Sequence, residues 1–168
     1  MNIKITFDTL SEELVQKIKQ YPSVAEKFVT NLTAWEPDLV GSSGVIFVYH
    51  LQDELLEQTK RELIKKFPEL DGCKFSIAYT LGSRLSYVQW HCDQNHKYAL
   101  TVYLNDKWDR NWSGSLIYQD SDDRFIAVYP EYNKTVSFAP PVWHTTNMPT
   151  IVAPLRESLQ IFCDPNGN

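Results

Sequence analysis

From Cys73 onward the chain divides into seven short segments rich in β-branched and aromatic residues, separated by turn formers: Lys74–Tyr79, Ser86–Cys92, Tyr98–Leu104, Ser115–Gln119, Phe125–Tyr129, Thr135–Phe138 and Glu157–Cys163. Such side chains suit a pleated, half-buried surface. Short strands at this interval predict a β-sandwich or open barrel. Helical patterns precede the strands and do not alternate with them, which selects an α+β class over a doubly wound parallel sheet.

The helical patterns lie in the first third. Thr9 with Glu12 and Ser23 with Glu26 are spaced as capping boxes, the first opening onto Leu14, Val15 and Ile18, the second onto Phe28, Val29 and Leu32. Two short helices are expected, separated at Pro22. A longer helix is expected over Asp53–Phe67, where Leu55, Leu56, Thr59, Leu63, Ile64 and Phe67 share a face and Pro68 stops the run. Between them Val45–Tyr49 reads as a strand. With 168 residues, 43% apolar and 22% charged, the chain suffices for one domain over 1–168. Within it, 1–72 forms a helical support region with a strand or two, and 73–164 the β core.

The formal net charge is −5 and the basic residues are scattered, so no grip on nucleic acid is advertised. No apolar run approaches the roughly 18 residues of a membrane span, and Met1–Thr9 lacks the order of a signal peptide, so the cytosol is expected. Three cysteines, Cys73, Cys92 and Cys163, without a C-x-x-C pair point to reduced thiols.

Only four histidines are available: His50, His91, His96 and His144. In an extended strand residues i and i+2 project from one face, so His91 and Asp93 can converge on one point. His144, after Phe138-Ala-Pro-Pro-Val-Trp143, is the natural third ligand, placed where a loop aims it inward. Two histidines and a carboxylate that leave positions open suit iron(II), although zinc also uses imidazole and carboxylate. His50 and His96 read as surface residues, and Trp90 and Trp143, each preceding a ligand, as wedges that fix the ligands. In the last segment Arg156, Ser158 and Gln160 share one face while Leu155, Leu159 and Ile161 share the other. The apolar face would meet the long helix and the polar face would line a cavity. A buried arginine there calls for an anion, and its planar guanidinium fits a carboxylate held by two hydrogen bonds.

Read together, Tyr79-Thr-Leu-Gly82, His91-x-Asp93, Leu100-Thr-Val-Tyr103-Leu104-Asn105, Trp112-Ser-Gly114-Ser-Leu116, His144 and Arg156-x-Ser158 resemble the prolyl 4-hydroxylase group of 2-oxoglutarate/iron(II) dioxygenases. The resemblance spans about Phe75 to Phe162, in the family's order. It implies a double-stranded β-helix, or jelly roll, with the N-terminal helices packed on its major sheet. It also implies that His91, Asp93 and His144 bind iron(II), and that Arg156 holds the remote carboxylate of 2-oxoglutarate. Tyr103, Tyr79 and Ser158 would lie beside that cosubstrate. The implied activity couples oxidation of a substrate C–H bond by O2 to decarboxylation of 2-oxoglutarate, with ascorbate in support. The implied substrate is a prolyl residue in a peptide or protein; a free amino acid, another small molecule, or a non-catalytic or zinc-binding jelly roll are the alternatives. Candidate lids are Gly82–Tyr87 and Gln119–Arg124, with Arg84, Asp122 and Asp123 near the mouth. The chain departs from the family's pattern where Ser113-Gly114 replaces a glycine pair, and in a long His144-to-Arg156 interval containing Pro149 and Pro154.

Overall fold

Strand pairing is antiparallel throughout and organises two sheets that face each other. The computed structural model describes residues 3–23, 28–31 and 39–165. In chain order its N-terminal elements are β1 (Ile3–Thr6), α1 (Glu12–Gln20), β2 (Phe28–Asn31), β3 (Val45–His50) and α2 (Asp53–Lys66). The remaining strands are β4 (Cys73–Gly82), β5 (Val88–His91), β6 (Tyr98–Tyr103), β7 (Leu116–Gln119), β8 (Phe125–Val128), β9 (Thr135–Phe138), β10 (His144–Thr146) and β11 (Arg156–Pro165). The large sheet runs β1-β9-β6-β11-β4-β3-β2 and the small sheet β5-β10-β7-β8. From β4 onward the chain crosses repeatedly between the sheets, and this crossing is what makes the sandwich a jelly roll.

The large sheet is greasy on the side away from its partner. Ile77 and Tyr79 of β4, Leu100 and Val102 of β6, and Leu159, Ile161 and Cys163 of β11 form one buried cluster with Leu14, Val15 and Ile18 of α1 and Leu63 of α2. Both helices therefore cover this sheet, as the periodicity of their apolar residues requires. Each fully buried leucine or isoleucine contributes roughly 1.5–3 kcal/mol. Leu155, assigned by alternation to the same face, precedes β11 and is 38% exposed. A second cluster fills one part of the space between the sheets: Ala99, Tyr103, Leu116, Tyr118, Val128, Val136, Phe138 and Val142.

The N-terminal region differs from its sequence reading in three places. Phe28–Asn31 is a strand, not the start of a helix, and it pairs with β3 from Phe28↔Val48 to Asn31↔Val45. The β-rich Phe-Val-Thr run gains ladder hydrogen bonds from the edge of β3, which outweigh one weak capping pattern; Leu32 lies outside the described residues. Helix α1 is capped by Ser11, whose hydroxyl accepts from the Leu14 amide, while the Thr9 hydroxyl pairs with Thr135 at 2.6 Å. Ile3–Thr6 extends the large sheet by pairing with β9. Residues before 73 thus supply three strands as well as helices, and none of the described helices is long and apolar enough to cross a membrane.

Candidate active site

The small sheet sets the two histidines directly opposite each other. His144 of β10 is in register with His91 of β5, and their ring centroids stand 4.1 Å apart. The Nδ1 of His91 lies 2.8 Å from the Gln89 carbonyl, and that of His144 lies 3.0 Å from the Val142 carbonyl. A carbonyl only accepts, so both Nδ1 atoms carry the proton and both Nε2 lone pairs face the interior. Backbone bonds of this kind set tautomer and ring orientation in metal sites.

Asp93 completes the group. Its Oδ1 is 3.7 Å from His91 Nε2 and its Oδ2 3.5 Å from His144 Nε2. One donor atom from each of the three residues lies within 4.8 Å of the others. Donors bound roughly 2.1 Å from a common ion stand about 3–3.5 Å apart, so closing on one divalent cation needs only small side-chain shifts. The donor set, two neutral imidazoles and one carboxylate, fits iron(II) and leaves half of an octahedron open. Burial is the main reason that the His144 pKa falls below its ordinary value, with the adjacent His91 adding to it and Asp93 opposing it. The ring thus stays in the neutral form that ligates.

The convergence arises differently from the sequence argument. Strand β5 ends at His91, so Asp93 reaches the site from the turn beyond it. His144 opens a strand hydrogen-bonded on both sides, to β5 and to β7. Three residues, His-Thr-Thr, between Pro141 and Pro149 are too few to announce a strand in sequence.

Arg156 starts β11, a central strand between β4 and β6. It lines the same cavity as the triad, which opens to solvent and has a volume of about 110 Å³. Its guanidinium makes a long hydrogen bond, Nη1 donating to the Gly114 carbonyl at 3.4 Å. Among the described residues no carboxylate pairs with it: Glu157 bonds Tyr79 and Lys19, and Asp164 bonds His96. Part of Arg156 meets the open cavity, but protein encloses its guanidinium, and burial pulls its pKa down while Tyr103 pulls it up. A guanidinium keeps its charge in any such setting, so the site has a stationary cation without a counter-ion. Tyr103 of β6 is 2% exposed, and burial pushes its phenol up to about 12 against the pull of Arg156, so it remains an O–H donor.

Ser158 and Gln160 line the cavity beside Arg156, as alternation along β11 requires. Across the ladder Thr80 pairs with Ser158: their hydroxyl oxygens are 2.9 Å apart, and Thr80 Oγ1 is 3.1 Å from the Ser158 carbonyl oxygen. Thr101 donates to the Gln160 side-chain oxygen at 3.1 Å. Gln160 was expected on this face, but Thr80 and Thr101 were not assigned from the sequence. Their signal was strand parity: Thr80 stands opposite Ser158, and Thr101 opposite Gln160.

That parity corrects the assignment of Tyr79. It stands opposite Leu159, on the helix-covered side of the large sheet, and its hydroxyl donates to Glu157 at 3.0 Å. The sheet separates it from the cavity, so Thr80 takes the place expected for Tyr79. Trp90 and Trp143 are not wedges either. They face outward, 38% and 55% exposed, with Trp90 against Phe125 at 5.5 Å. The two segments expected as lids are placed differently: Gly82 pairs with Arg156 beside the cavity, whereas part of Gln119–Arg124 lines another one. Of Gly82–Tyr87, Ser83, Leu85 and Tyr87 are tied by backbone bonds to Val45, Pro149 and Ser43, and Arg84 donates to the Ala153 carbonyl at 2.8 Å. Gln119, Asp120, Ser121 and Asp123 line a separate cavity with Ile3 and Trp143.

Solved structures share this architecture over nearly the whole chain. A Pseudomonas putida prolyl-4-hydroxylase superposes with a TM-score of 0.72 at 16% identity, covering 99% of this chain and 94% of its own. The fold is that of the 2OG-Fe(II) oxygenases. A Trichoplax adhaerens prolyl hydroxylase, solved with a hypoxia inducible factor peptide fragment, matches with a TM-score of 0.74 at 12% identity over 97% of this chain and 83% of that one. HygX from Streptomyces hygroscopicus, solved with nickel and 2-oxoglutarate, matches with a TM-score of 0.71 at 10% identity over 98% and 83%. No protein-family model and no curated protein sequence matches the chain.

Proposed function

We propose that this protein is an iron(II)- and 2-oxoglutarate-dependent oxygenase that hydroxylates an amino-acid side chain, with a prolyl residue in a peptide as the first substrate class to test. One observation carries the reading: a cavity whose one end holds His91, Asp93 and His144, and whose wall holds an arginine without a carboxylate partner among the described residues. A metal site alone would suit many proteins. A metal site that shares its cavity with an unpaired guanidinium suits a ligand that chelates a cation through one end and presents a carboxylate at the other.

His91, Asp93 and His144 would hold the metal, and Arg156 would receive the remote carboxylate, with the Tyr103 hydroxyl and the Thr80–Ser158 pair as neighbouring donors. Bound iron(II) and 2-oxoglutarate would supply the chemistry, oxidation of a C–H bond by O2 coupled to formation of succinate and carbon dioxide. The chain's own part is orientation and enclosure. The Gln89 and Val142 carbonyls keep Nε2 of each imidazole aimed inward, and Leu39, Ile46, Val88 and Leu116 give the cavity apolar walls.

Structural neighbours differ in what they are seen to hold, a hypoxia inducible factor peptide in one and hygromycin B in another, so a small-molecule substrate is the second reading. The test is succinate production from 2-oxoglutarate with iron(II), O2 and ascorbate, with and without a panel of prolyl peptides. Turnover without peptide supports the reaction class, and stimulation by peptide supports the prolyl substrate. Protein purified without oxygen that retains zinc and ignores iron(II) would overturn the reading in favour of a zinc-binding jelly roll.

A further inference from the structure

The three ligands are not held equally. His91 and His144 belong to the small-sheet ladder, and each imidazole is pinned to its own chain. Asp93 lies past the end of β5, where no ladder reaches it. Its main chain is held by the tight turn Asp93–His96, in which the His96 amide donates to the Asp93 carbonyl at 3.0 Å. Gln94 and Asn95, between them, are exposed and offer the turn no anchor.

His96 supplies the anchor. Its ring stacks on Phe162 with centroids 4.2 Å apart and planes 26° from parallel. Its Nδ1 donates to the Asp164 carboxylate at 2.9 Å. The next residue, Lys97, donates its amide to the Cys163 carbonyl at 3.0 Å. Three consecutive residues of β11, Phe162 to Asp164, therefore grip the turn, and the Phe162 ring is itself part of the cavity wall.

We infer that His96 is a positioning residue for Asp93, locking the ligand-bearing turn onto β11 so that the carboxylate stays within reach of both imidazoles. This rests on the reading of Asp93 as a metal ligand. A carboxylate on an unanchored turn samples positions an ångström or more from the shared ion, and each of them forfeits a coordination bond. Loss of a partner that orients a ligand typically costs 10–100-fold in metal affinity.

The experiment is titration of the metal-free protein with Co(II), read by calorimetry and by the visible absorption that reports coordination number. Wild-type protein is compared with His96→Ala, Asp164→Ala and the exposed-surface control His50→Ala. His96→Ala is expected to bind Co(II) 10–100-fold more weakly with an altered spectrum, Asp164→Ala to shift the same way by less, and His50→Ala to match wild type. His96→Phe, which keeps the stack and loses the hydrogen bond, should recover part of the affinity; a merely structural role would leave the spectrum of all these proteins alike. Folded His96→Ala with wild-type affinity and spectrum overturns the inference. If that variant does not fold, wild-type binding by Asp164→Ala overturns it instead. Failure of the wild-type chain to take Co(II) at all is a different result, and it overturns the metal-centre reading beneath.

Discussion

Arg156 and Tyr79 make opposite predictions, although sequence placed both beside the cosubstrate. Arg156→Ala removes the only lysine or arginine that lines the cavity among the described residues, where the proposed carboxylate would bind, and a buried charge pair broken on one side typically costs 3–5 kcal/mol. The concentration of 2-oxoglutarate needed for half-maximal succinate production should rise at least about 100-fold, while calorimetric Ni(II) affinity stays at the wild-type level. Tyr79→Phe should leave that concentration within about twofold and lower folding stability by about 1 kcal/mol, since it only loses the bond to Glu157. A Tyr79→Phe enzyme starved of 2-oxoglutarate like Arg156→Ala would mean that the tyrosine does face the cavity. His144 predicts a pH effect. Its folded pKa is depressed, chiefly by burial, from an ordinary value near 6.5. Below pH 6.5 the unfolded chain takes up a proton that the folded chain resists, so the metal-free protein loses stability as pH falls from there; above it the contribution is fully present. Carboxylates with lowered values, such as Glu69 and Asp120, act below about pH 4.5 and leave that window clear. Urea unfolding at pH 5.5 and 7.5 should show the loss in wild type and a smaller one in His144→Gln.

At the level of elements, what could be read in advance was whatever periodicity or strand alternation controls. The strands from β4 to β9, the long helix and the polar face of β11 all follow from side chains repeating at the period of their own backbone. What escaped was set by pairing partners far away in the chain. The short strand β10 exists because β5 and β7 flank it, β2 exists because β3 offers an edge, and Tyr79 was misassigned because a motif match does not fix strand parity. The convergence of His91, Asp93 and His144 was legible through spacing and order, but the turn that carries Asp93 was not. The Ser113-Gly114 departure gains a physical meaning in the loop before β7. Ser113 has φ 60° and ψ −139°, a region that favours glycine, and Gly114 has φ 73° with Trp108 so close that a Cβ would sit 2.8 Å from its ring. The loop is held by the Trp108 indole donating to the Ser113 carbonyl and by the Thr150 amide donating to the Trp112 carbonyl, and it delivers the Gly114 carbonyl to Arg156. Strain of this kind costs of order 1–3 kcal/mol. Ser113→Gly should therefore raise stability by about 1 kcal/mol in denaturant unfolding with unchanged activity, whereas Gly114→Ala should weaken 2-oxoglutarate binding by shifting the backbone under Arg156.

Across the whole molecule, the candidate site is where the two sheets meet. The small sheet contributes His91 and His144, the large sheet contributes Arg156, Tyr103 and Thr80, and the helices lie on the far side, where their packing fixes the large sheet without touching the cavity. A ligand that spans from the triad to Arg156 therefore ties one sheet to the other, and it can do so only in the folded chain. Binding that excludes the unfolded state adds about 2.7 kcal/mol at a ligand concentration 100 times Kd. For a chain of this size about 1 kcal/mol corresponds to roughly 2–4 °C in Tm. Ni(II), inert toward turnover, should raise Tm first, and 2-oxoglutarate should then add a further rise of roughly 5–10 °C that depends on its concentration and disappears with EDTA. Arg156→Ala should keep the metal step and lose most of the second, and His91→Ala should lose both. Because each sheet would bind a different end of the proposed ligand, a 2-oxoglutarate shift that survives removal of the metal by EDTA would show the acid held by Arg156 alone, without the bridge between sheets on which the proposed function depends.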